Sequence, residues 1–131
     1  MTTTQQKHIY LKDLHFEHQL WLNELRFAKD ELSVFSKRLS EVENKNNSIE
    51  FSASAESLQN RLIMQEEVVR DMRHEIKKQE AALAHYAAEH PIAIDHVHFG
   101  DHAEIREKMT RFTLLYAEFK SDFMRFIAKW I

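Results

Sequence analysis

The chain has 131 residues, 44% hydrophobic and 30% charged, with a formal net charge of −3. That suffices for one domain with a real core and is too little to expect two. A single Gly and a single Pro argue against hairpin-rich folds and phosphate-cradling loops, which need positive or fixed φ, and the absence of Cys excludes disulfides, thiolate metal sites and cysteine nucleophiles.

The opening residues, Met1 to Gln6, are polar and lack a charged-then-apolar leader, so no secretory signal is read and the cytoplasm is the expected compartment. No window approaches eighteen consecutive apolar residues, which argues against a membrane span. Lys and Arg are interleaved with Glu, whereas duplex nucleic acid requires a concentrated basic stripe.

The first element is a long helix, roughly 6–43, by the spacing of its apolar positions. Its seam alternates steps of three and four through Leu11, Leu14, His18, Trp21, Leu25, Ala28, Leu32, Phe35, Leu39 and Val42, the pattern of helices packed side by side. Asn44, Lys45, Asn46, Asn47 and Ser48 break it, because such side chains compete for backbone hydrogen bonds and favour turns. Asn47 with Glu50 could cap the next helix, and Ser52 or Ser54 are equally fair starts.

The second helix is expected at roughly 50–89, with the seam Leu58, Leu62, Gln65, Val69, Met72, Ile76, Gln79, Leu83, Tyr86 and His90. Pro91 cannot continue a helix interior. Asp101 with Glu104 forms a capping box just after Gly100, which predicts a loop over roughly 90–101 and a third helix over roughly 102–130. The third seam runs His98, His102, Ile105, Met109, Phe112, Tyr116, Phe119, Phe123, Phe126 and Trp130.

These elements predict an all-α fold: one antiparallel, up-down-up bundle of three long helices over 1–131, with coiled-coil-like heptad seams. Folding the chain about its two turns predicts layers such as Trp21, Ile76 and Tyr116, or Leu25, Met72 and Phe119. The same folding gathers His8, His15, His18, His85, His90, His96, His98 and His102 toward one pole. Five of them, His8, His90, His96, His98 and His102, form a candidate metal cluster for zinc, copper, nickel or iron. Asp95, Asp101 and Glu104 lie near it as further ligands or orienting acceptors. His18 is expected at the level of Gln79 and Phe112, about 15 Å from the His102 level, as a core histidine bonded to Gln79. Asp71 and His74 have i,i+3 spacing but face outward, and no seam carries Asp or Glu, so the inward carboxylate set of di-iron bundles is missing.

A second apolar line runs outside the first seam at Leu20, Phe27 and Val34, with Phe16 beside it. The third helix similarly carries Leu114, Leu115, Met124, Ile127 and Ile131 beyond its own seam. Exposed apolar surface of this kind marks interfaces, and Phe16, Leu20, Phe27, Val34, Leu114, Met124 and Ile127 are its candidate residues. The last turns mix Phe and Trp with Lys120, Arg125 and Lys129, as interfacial membrane helices do, but the seam already accounts for their aromatics. The sequence therefore reads as a non-enzymatic helical interaction or scaffold protein that self-associates, as a homodimer, with another protein as the alternative partner. The rival reading is a histidine-based transition-metal-binding or sensing protein. No nucleophile with a paired base is visible.

Overall fold

The computed structural model describes residues 11–89 and 96–131, and the side chains of 12–88 and 100–131. They form three helices: α1 (Leu11–Glu43), α2 (Ile49–Glu89) and α3 (His96–Trp130). All three pack on one another as a three-helix bundle. The interhelical contacts give the directions. Glu75, Arg61 and Glu50 of α2 pair in falling order with Lys108, Asp122 and Lys129 of α3, whereas Glu17 and Glu31 of α1 pair in rising order with Arg106 and Lys120.

The seams supply the core. Leu25, Leu32, Leu39, Ile76 and Phe119 have no solvent exposure, and each such side chain contributes about 1.5–3 kcal/mol through burial. α1 and α2 pack most closely, and α3 lies less tightly against α1. The side chains explain this difference. The first two seams are mostly aliphatic, while α3 presents Phe112, Tyr116, Phe119, Phe123 and Phe126, whose rings hold the helix axes apart. Phe35 stacks on Phe123 at 4.7 Å, and Phe51 meets Phe126 at 5.6 Å and the edge of Trp130 at 5.3 Å.

The α1–α2 turn is tied to the end of α3. Asn46 Nδ2 donates to the Val42 carbonyl at 2.9 Å, which also accepts from the Lys45 N–H, and to the Trp130 carbonyl at 3.0 Å, an acceptor at the end of α3 that lacks an intrahelical donor. Ser48, rather than Asn47, caps α2, its Oγ accepting from the Phe51 N–H at 3.1 Å.

α3 starts six residues earlier than its capping signals indicate. Gly100 lies inside the helix, and no described residue has positive φ. Asp101 and Glu104 are therefore exposed residues of an established helix rather than a capping box. A helical Gly costs only about 1 kcal/mol relative to Ala, and between Pro91 and Gly100 no breaker interrupts the chain. The earlier start shifts the register of α3. Phe119 lies against Phe35 instead of levelling with Leu25, the Tyr116 hydroxyl donates to Glu31 at 2.7 Å instead of levelling with Trp21, and Trp21 stacks on His102 at 4.9 Å. The displacement from the expected layers is about ten residues, or roughly 15 Å of helix. It brings His102 to His18.

Candidate functional site: a buried histidine chain and an exposed apolar stripe

His18 and His102 occupy seam positions of α1 and α3, and both are fully buried. Unlike the surrounding Leu and Phe, each carries two polar ring atoms that need partners. The fold provides all four. His18 Nδ1 lies 2.9 Å from Glu80 Oε1 of α2, and His18 Nε2 lies 3.1 Å from His102 Nδ1. His102 Nε2 lies 2.5 Å from Glu17 Oε1 of α1, which also accepts from Arg106 Nη2 of α3 at 2.7 Å. Arg106 Nε donates to the other oxygen of Glu17 at 3.2 Å, completing a fork on that carboxylate. At the far end, the exposed His15 hydrogen-bonds the second oxygen of Glu80. The chain from Glu80 to Arg106 thus passes through the core and joins all three helices.

Counting protons gives its chemistry. Each carboxylate requires an N–H from the ring it meets, and the contact between the two rings requires a third. Two neutral imidazoles carry only two ring protons. Complete pairing needs three, shared with the two carboxylates and balanced further by Arg106. Burial, the largest influence on His102, pushes its pKa below the ordinary range, with the charges of His18 and Arg106 acting the same way against the opposing hydrogen bond to Glu17. Burial thus favours a neutral His102 that donates from Nε2 to Glu17 and turns its Nδ1 toward His18. Burial pushes the Glu17 carboxyl up, but the hydrogen bonds from Arg106 and His102 and their charges together hold it below the usual range.

Sequence reasoning placed His102 in a polar cluster at the pole and His18 in the core, apart from it. In the structure the two share one site, and Glu80 and His102 stand where Gln79 was expected as the partner of His18. Both ring nitrogens of His102 are engaged, so metal ligation there requires breaking one of these bonds. His8, His90 and Asp95 lie outside the described residues, as do the side chains of His96 and His98 in the first turn of α3. Among the described residues no group of three or more His, Asp or Glu is arranged to hold a metal. Glu17 and Glu80 were missed because neither lies on a seam. The available signal was that a buried His needs an acceptor, and each of these Glu residues flanks a seam position.

The apolar stripe lies on a different face. Phe16, Leu20, Phe27 and Val34 are 59%, 50%, 64% and 61% exposed, and Leu114 and Met124 are 65% and 55% exposed. Leu20, Phe27 and Val34 each follow by three residues one of Glu17, Glu24 and Glu31, which reach α3 through Arg106, Thr113 and Lys120. Residues three apart share a helix side. Leu20, Phe27 and Val34 therefore lie toward α3 on the outer side of α1, where Met124, four residues after Lys120, flanks the groove from α3, while Phe16 and Leu20 also line a hollow with Arg73 and Lys77 of α2. Ile127 does not belong to this surface. It continues the seven-residue series Arg106, Thr113 and Lys120 toward α1, and it is buried in the core.

Comparison with known protein families, with curated proteins and with solved structures finds no match. No helix among the described residues is long and apolar enough to cross a membrane.

Proposed function

We propose that this protein is a non-enzymatic helical interaction protein that associates with a second copy of itself through the face formed by α1 and α3. The observation carrying this reading is the continuous row Leu20, Phe27 and Val34, each at least half exposed, along the more open α1–α3 groove. An apolar row of this length beside a helical groove has the geometry of a helix-docking surface. Two of its three glutamates, Glu17 and Glu31, are paired with Arg106 and Lys120, which limits like-charge repulsion between two copies. A symmetric pair presenting this face to itself buries the stripe of both partners in one isologous interface.

The test is sedimentation velocity of the full chain over a concentration series, beside the double variant Phe27→Glu and Val34→Lys. A dimer for the native sequence and a folded monomer for the variant are expected. A native chain that stays monomeric at hundreds of micromolar, or a variant that dimerises equally well, rules this face out as the interface.

A further inference from the structure

The ion pairs of this bundle are distributed unevenly. Along the α1–α3 and α2–α3 grooves, cations meet carboxylates across the gap: Arg106 with Glu17, Lys120 with Glu31, Lys108 with Glu75, and Lys129 with Glu50. The middle of the α1–α2 groove has no such pair. There Arg26 and Lys29 of α1 face Arg70, Arg73 and Lys77 of α2 around two hollows that share Arg73. Arg26, Lys29, Arg73 and Lys77 make no ion pair, and Arg70 reaches only Asp71 on its own helix, at 3.6 Å. The Nε of Arg73 is buried without a hydrogen-bond partner. A buried guanidinium nitrogen with no acceptor has lost its hydrogen bond to water without replacement, and the like charges gathered around it add to that cost. Both costs disappear when an anion occupies the groove.

We propose that the α1–α2 groove is a binding site for a compact, multiply charged phosphate compound, seated between the guanidinium groups of Arg26, Arg70 and Arg73 and flanked by Lys29 and Lys77. Planar guanidinium forks match phosphate oxygens in pairs, and the lysines add point charges. The extent of the site selects the ligand class. The groove is bounded by carboxylates, Glu66 at one end and Glu80 at the other, where it bonds His15 and His18. The cationic stretch from the level of Lys77 to that of Lys29 covers only about 15 Å of helix. An acidic helix of a partner protein running along the groove would meet both Glu66 and Glu80, whereas a chain of two or three phosphates fits between them. Phe16 and Leu20 border the second hollow and offer apolar contact to an organic group attached to the phosphates.

Leu20 borders both this hollow and the face proposed for self-association, so the titration is repeated in the Phe27→Glu, Val34→Lys variant, where unchanged binding separates the site from oligomeric state. The experiment is isothermal titration of the full-length protein with tripolyphosphate, ATP and a poly-glutamate peptide of equal charge, at two salt concentrations. Saturable one-to-one binding of tripolyphosphate is expected, weaker at the higher salt and weakened about tenfold, equivalent to 1.4 kcal/mol, by Arg73→Gln and by Lys77→Gln. Glu66→Gln is expected to tighten binding, a gain that a folding defect cannot mimic, and Lys108→Gln on another groove leaves it unchanged. Tighter binding of ATP than of tripolyphosphate identifies the organic group as part of the ligand, and equal binding confines recognition to the phosphates. The proposal is overturned by no binding at millimolar tripolyphosphate, by preference for the poly-glutamate peptide, or by equal binding in Arg73→Gln and Lys77→Gln variants of native circular dichroism.

Discussion

His18 and His102, 84 positions apart in sequence, meet in the core with Nε2 and Nδ1 3.1 Å apart. Each passes its remaining ring nitrogen to a carboxylate at the edge of the bundle. An interior polar contact of this kind fixes register, because sliding either helix by one turn leaves four buried polar atoms without partners.

Removing one ring strands the other, so single and double substitutions should differ. His18→Leu or His102→Leu alone leaves a buried ring nitrogen unsatisfied and should cost about 1–3 kcal/mol. The double variant replaces both with apolar side chains, while Glu17 and Glu80, each more than a quarter exposed, recover water. Urea denaturation should therefore show the double variant losing less than the sum of the singles, and additive losses would mean that the two rings are not coupled.

Acid should destabilise the bundle in two steps. The pKa of His102 is depressed in the folded state, so the unfolded chain takes up that proton first, and stability falls as pH drops below the ordinary imidazole value of about 6.5. The Glu17 carboxyl is also depressed. Its contribution is present above the ordinary carboxylate value of about 4.3 and is lost as pH falls through the folded value. Thermal denaturation from pH 8 to pH 3 measures both steps, and the first should be smaller in His102→Gln. The same loss in both proteins between pH 7 and 5 would assign that step to other histidines.

Core and stripe positions should separate by stability. Leu25→Ala and Leu39→Ala each empty a site of zero exposure and should cost about 2–5 kcal/mol. Phe27→Ala, at 64% exposure, should change the stability of a monomeric bundle by less than about 0.5 kcal/mol. Chemical denaturation at low protein concentration makes the comparison. Larger losses at Phe27 as concentration rises would report burial of this residue between copies.

Asn46→Ala removes two hydrogen bonds at once, one closing α1 and one holding the end of α3. A loss of about 1–2 kcal/mol is expected, together with faster amide exchange in the last turn of α3. Exchange protection there equal to that of the native chain would show that the Trp130 carbonyl contact contributes nothing.

The sequence by itself determined the helices and their buried faces. Leu14, His18, Trp21, Leu25, Ala28, Leu32, Phe35 and Leu39 recur in steps of four and three, and a helix turns every 3.6 residues, so the side that meets the core is written locally. The boundary at Glu43 was equally legible, because the run of Asn44 to Ser48 acts on its own backbone. What only the tertiary structure decided is which residues of different helices share a level. That depends on where α3 begins, and there Gly100, Asp101 and Glu104 resemble a helix start while the helix runs through them. With its earlier start α3 meets α1 with His102 at His18 and Phe119 at Phe35, and Ile127 is buried. The gathering of Arg26, Lys29, Arg70, Arg73 and Lys77 in one groove was hidden for the same reason: cations interleaved with acids along each chain segment become neighbours only when two helix faces meet, and the relative register of two helices is a property of neither alone.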